Sequence, residues 1–145
     1  MSAPSRRRSV LSWALAALLV VAVLTTFAPW LRTGEARRSA HGVVRAADRL
    51  EVLEPGPRVA SRVAWATLPL VASSALLALA LDRRGLAAAL ALWVALIEGT
   101  LAYALTQVPE VADGGARTSL AVAAMLVAVS AAVLIDRGHG WRAAS

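Results

Sequence analysis

The sequence predicts an all-α protein, an integral membrane four-helix bundle with an amphipathic extracytoplasmic helix between spans 1 and 2. Three observations carry this. Four apolar stretches, residues 10–31, 63–81, 86–108 and 119–135, are near the ~20 residues that a helix needs to cross a hydrocarbon core. Hydrophobic residues make up 59% of the 145, against roughly 45–50% in soluble domains on a count that also includes glycine. Polar residues gather between the stretches and hardly enter them. The whole chain, residues 1–145, reads as one membrane domain.

The elements follow in order. Residues 1–9 are polar, with Arg6, Arg7 and Arg8 in a row. The first span, 10–31, is flanked by Trp13 and Trp30. It is longer than the ~7–15 residues of a cleaved signal's apolar region and no clean cleavage site follows it, so a retained anchor is expected. Residues 32–61 form an outer loop in which arginine alternates with acid. Within it Ala40, Val43, Val44, Ala47, Leu50 and Leu53 recur at helical spacing, the pattern of an amphipathic helix. Ser39 is placed to cap its start, and Pro55-Gly56-Pro57 to end it. Such a helix suits the outer mouth of the bundle.

The second span, 63–81, carries Pro69, which removes one helical hydrogen bond and frees the carbonyl of Trp65. Asp82-Arg83-Arg84-Gly85 then makes a turn so short that spans two and three must be antiparallel neighbours. In the third span Ala87, Ala91, Ala95 and Gly99 recur four apart, a small-residue stripe on which another helix can approach closely. Residues 109–118 read as a turn-rich loop. The fourth span, 119–135, has a similar stripe in Ala124, Ala128 and Ala132.

One residue in these spans carries possible chemistry. Glu98 lies near the middle of the third span, and a carboxylate in hydrocarbon must protonate, pair or face water. No arginine or histidine stands at its depth, so a neutral acid is expected. Ser73 and Ser74, at similar depth in the second span, are the expected hydrogen-bonding partners. Glu98, Ser73 and Ser74 thus form the candidate intramembrane proton or hydrogen-bond site. It reads either as a tie between two helices or as a proton-binding site of a transporter.

Orientation rests on arginine. With both termini inside, the inner side holds Arg6, Arg7, Arg8, Arg83, Arg84, Arg137 and Arg142. The outer side holds Arg32, Arg37, Arg38, Arg45, Arg49, Arg58, Arg62 and Arg117, so the raw count is seven against eight. The inner segments are far shorter, however, and the Arg6–Arg8 cluster precedes the first span, which usually dominates topology. Both termini are therefore expected in the cytoplasm of a multi-pass cell-membrane protein.

Two resemblances bear on the reading. The run Arg38-Ser39-Ala40-His41-Gly42-Val43-Val44-Arg45-Ala46-Ala47-Asp48-Arg49-Leu50-Glu51-Val52-Leu53 follows Ala28-Pro29-Trp30-Leu31 and precedes a second span. It resembles uncharacterised small four-span membrane proteins of high-GC Gram-positive bacteria, which implies topology and no activity. Four short spans with one membrane glutamate also resemble the small multidrug-resistance exporters. Their glutamate belongs to the first span; here it is in the third, and the first loop is much longer.

Composition excludes several classes. There is no cysteine, so no thiol or disulfide chemistry. His41 and His139 are far apart, which argues against a metal site. The net charge of +6 is spread over loops, the pattern of topology and headgroup contact and not of nucleic-acid binding. No nucleophile with a base, pair of membrane acids or phosphate loop is present, so no catalytic site and no cofactor are expected. The function expected is that of an accessory or interaction component of the cell membrane. Its partners are the lipid bilayer and either a membrane protein or further copies of the chain. The alternative is a small proton-coupled transporter using Glu98.

Overall fold

The computed structural model describes residues 3–33, 35–49, 55–107, 110 and 112–142. It is mostly helical. Five helices, α1 (Ala3–Thr25), α2 (Ala40–Arg49), α3 (Pro55–Ala80), α4 (Arg84–Thr106) and α5 (Gly114–Arg142), are joined by one small sheet of β1 (Pro29–Thr33) and β2 (Ala36–Ser39). In four of them the stretches Arg6–Thr25, Arg62–Ala80, Arg84–Thr106 and Gly114–Asp136 are long and apolar enough to cross a membrane. α4 packs most extensively on α5 and then on α3, and α1 lies against α5, α3 and α4.

The sheet is a departure from the all-α expectation. α1 stops at Thr25, and residues 29–31, counted above with the first span, begin a strand. Pro29 explains the stop, because its ring lacks an amide proton and drives the preceding residue out of helical geometry. The strand turns back as an antiparallel hairpin, with Leu31 opposite Arg38, Arg32 opposite Arg37 and Thr33 opposite Ala36. A two-stranded hairpin is marginal by itself. This one is anchored by Trp30, which is 0% exposed, and by a bridge between Leu31 and Ala112.

α2 begins where the periodic pattern places it. The amide of Gly42 donates to Ser39 Oγ at 3.4 Å, the cap the sequence offers. Ala40 is buried, Val43 and Val44 pack on the core, and Arg45 is exposed. Leu50, Leu53, Glu51 and Glu54 lie outside the described residues. Pro55 does not end α2 but opens α3, where a first-turn residue has no use for the amide proton that proline lacks. α3 then runs through Pro69 without a break in its helical assignment.

The turn between α3 and α4 is held by backbone. Arg83 N donates to Ala78 O at 2.7 Å and Asp82 N to Leu79 O at 3.0 Å, with Asp82 at φ 54°. This is the helix-ending pattern in which a left-handed residue lets two amides reach back to the last carbonyls. Aspartate takes the place usually given to glycine, which its short polar side chain tolerates.

α5 starts at Gly114, earlier than the sequence suggests, because Asp113 accepts from Gly114 N at 2.7 Å while its own amide donates to Trp30 O at 2.9 Å. Gly115 sits so close to the hairpin that a Cβ there would overlap the carbonyl of Pro29 and the ring of Trp30.

The two small-residue stripes part company. On α4, Ala87, Ala91 and Ala95 are buried, and a Cβ added at Gly99 would come to 3.2 Å from Ala123 of α5. On α5 the buried face is Ala116, Ser119, Val122, Ala123, Leu126, Ser130 and Val133. Ala124 and Ala128 face outward and Ala132 is half-buried.

Candidate functional site

Glu98 shares one face of α4 with Ala91, Val94, Ala95 and Ala102, all buried at spacings of three and four, so the helix aims its carboxyl into the core. Its side chain is 0% exposed. It lies past the helix midpoint, eight residues before Thr106, or ~12 Å at 1.5 Å per residue. That places it beneath the hairpin end of the molecule and not midway along the span.

Its partner comes from α1 and not from α3. Thr25 Oγ1, on the last residue of α1, lies 2.6 Å from Glu98 Oε1 and 2.8 Å from the carbonyl oxygen of Ala22. Ser119, in the second turn of α5, lies beside the carboxyl. Its Oγ and Glu98 Oε2 are both buried and make no close hydrogen bond among the described residues. Ser73 and Ser74, expected to bind the acid, are exposed on the outer surface of α3, while Thr25 and Ser119 stand at the carboxyl. The inward face of α3 is Trp65, Leu68, Ala72, Ala75 and Ala78. The two serines fall one and two residues past Ala72, a rotation of ~100° and ~200° away from it.

Proton counting at Thr25 constrains the site. The hydroxyl has one proton and two close oxygens, the Ala22 carbonyl and the Glu98 carboxyl. Thr25 Oγ1 donates to Glu98 Oε1, and the Ala22 carbonyl is its second close acceptor. An ionised Glu98 would compete with the carbonyl for that single proton.

A roof closes the site. The indole of Trp30 donates to the carbonyl of Thr25 at 2.7 Å, Thr26 Oγ1 donates to Val23 O at 2.7 Å, and Ala40 N donates to Thr26 O at 3.2 Å. The last turn of α1, whose carbonyls would otherwise be orphaned, is thereby sealed by a tryptophan and two threonines. Trp30 meets Trp65 edge-on with ring centres 5.7 Å apart. His41 of α2 lies between Phe27, stacked at 5.3 Å, and Trp65, edge-on at 5.8 Å.

Thr25, Ser119 and Trp30 were not among the sequence candidates. A signal existed for the first: Thr25-Thr26 interrupts an otherwise apolar run just ahead of Pro29. Ser119 had none, since nothing in a mostly apolar span tells which side a serine faces. Among the described residues no group of three or more histidine, aspartate or glutamate side chains could hold a metal ion. Comparison with protein-family models, with curated proteins and with solved structures finds no match.

Proposed function

We propose that the chain is a multi-pass protein of the cell membrane, with both termini cytoplasmic, that acts as a non-enzymatic accessory or interaction component. The membrane placement is supported by the outer surface of the long helices. Trp13, Leu24, Leu70, Leu77, Trp93, Leu96 and Tyr103 are all more than half exposed, a band of apolar surface that water would penalise heavily and lipid would not. The outward Ala124 and Ala128 of α5 offer a partner helix a close approach.

The single observation that favours a structural role for the acid is its enclosure. Glu98 is 0% exposed under a Trp30 that is also 0% exposed, and it is bonded to the end of a neighbouring helix. Proton-coupled transport would require water to reach that carboxyl and leave it again. As a tie, Glu98 joins α1 to α4 at the point where α1 ends.

Purification in mild detergent tests the assignment. A stoichiometric membrane partner, or a defined homo-oligomer, supports it. Proton-dependent uptake in vesicles that Glu98→Gln abolishes would replace it with the transporter reading. Orientation is tested with Glu110→Cys and an impermeant thiol reagent. Labelling in intact cells is expected, and labelling only after lysis would invert the topology.

A further inference from the structure

The end of the molecule away from Trp30 is built differently. There the start of α1, the α3–α4 turn and the end of α5 surround a cleft of about 610 Å³. Arg8, Arg83 and Arg84 line it together with Asp82 and Asp136, and Leu11, Leu86 and Val133 form its apolar wall.

The charges do not balance. Asp136 is taken by Arg8 at 3.2 Å and by Arg7 at 4.0 Å, and Asp82 by Arg84 at 2.8 Å. Arg83 is exposed and pairs with no acid among the described residues. Three guanidinium groups thus line the cleft against two carboxylates, both already engaged. Arg83 also stands at the N-cap of α4 and makes no side-chain capping bond, so no side chain of that residue shields the positive end of the helix.

Apolar residues begin immediately beside these charges. Leu86 and Leu81, either side of the turn, are more than half exposed, and Val10 and Trp13 of α1 are likewise exposed. A ligand seated here would meet guanidinium groups at one end and hydrocarbon-like surface at the other. Guanidinium groups suit phosphate oxygens through charge-assisted, often paired hydrogen bonds.

We infer that this cleft binds the phosphate of an anionic membrane phospholipid, its acyl chains lying along Leu86 and Leu11. The inference rests on the membrane placement proposed above. Basic recesses between helices at a membrane surface are suited to such headgroups. The ligand is supplied by the bilayer itself, at the depth where the spans end.

The test uses the full-length protein in detergent, freed of co-purified lipid, with phosphatidylglycerol and phosphatidylcholine offered in equal amounts and bound lipid read by native mass spectrometry. Phosphatidylglycerol is expected to be retained in preference. Arg83→Gln and Arg8→Gln are each expected to weaken it roughly fivefold, from the ~1 kcal/mol that a basic side chain contributes at an anionic surface. Arg37→Gln, at the opposite end, is expected to leave it unchanged. Equal retention of the two lipids overturns the inference, as does equal loss in all three variants. Displacement of the lipid by inorganic phosphate at comparable concentration would make this a site for free anions and overturn it too. If the protein is recovered from cells dissolved without detergent, the membrane reading itself fails. A detergent-requiring protein without lipid preference overturns only the cleft.

Discussion

At the end roofed by Trp30, a carboxyl is wholly enclosed and, among the described residues, lies against the hydroxyls of Thr25 and Ser119. At the other end two carboxylates sit beside an open cleft, each held by arginine, with positive charge to spare. The same helices supply both ends. Enclosure by hydrocarbon makes a charge costly and a neutral hydrogen bond worthwhile, whereas access to water makes charges cheap and their pairs weak. The closed end is thus where side-chain identity governs stability. At the open end side-chain identity is expected to bear little on stability.

Substitutions at four positions sharpen that contrast, beginning with the largest effect. Gly115→Val at the closed end would drive a side chain into the Pro29 carbonyl and the Trp30 ring. A loss of about 3 kcal/mol or failure to accumulate is expected, read by thermal unfolding in detergent. Unchanged stability would mean that the hairpin does not seat on α5.

Glu98→Ala comes next. It deletes a buried side chain and leaves the Thr25 hydroxyl without its carboxyl, at a cost of about 2 kcal/mol. Glu98→Gln keeps a neutral hydrogen-bonding group of the same shape and should cost under ~1 kcal/mol. If the two variants were equally unstable, the hydrogen-bonded tie between α1 and α4 would be wrong.

Trp30→Phe keeps most of the ring but removes the bond to Thr25 O, for an expected loss of about 1 kcal/mol beyond any small packing change. Melting temperature and protection of α1's last turn in hydrogen exchange should fall together. Asp136→Asn at the open end has the smallest effect. Its arginine partners are more than half exposed, so a change of about 0.5 kcal/mol or less is expected. A drop as large as that of Glu98→Ala would erase the distinction between the two ends.

The location of the acid was legible in the chain, and its partners were not. Glu98 stands out because it is the lone carboxylate in a long apolar run. Depth along the spans points to Ser73 and Ser74, yet they face outward, while Thr25 from the end of α1 makes the bond. The hairpin was hidden inside what reads as the first span and its loop. Only Pro29 hinted that the helix ends early, and nothing local indicated that Trp30 would return to cover Thr25.

The sequence by itself determined four long apolar helices, a tight turn between two of them, a capped helix at Ser39 and a lone buried acid. Those follow from run length, turn residues and the rarity of charge within apolar segments. Which side of each helix faces inward was decided only by the tertiary structure. Where polar residues mark one face of a helix its rotation can be read from the pattern, but these long helices are apolar nearly all round, so their rotation leaves little trace. That is why the stripe at Ala87, Ala91 and Ala95 is buried while Ala124 and Ala128, spaced alike, face outward.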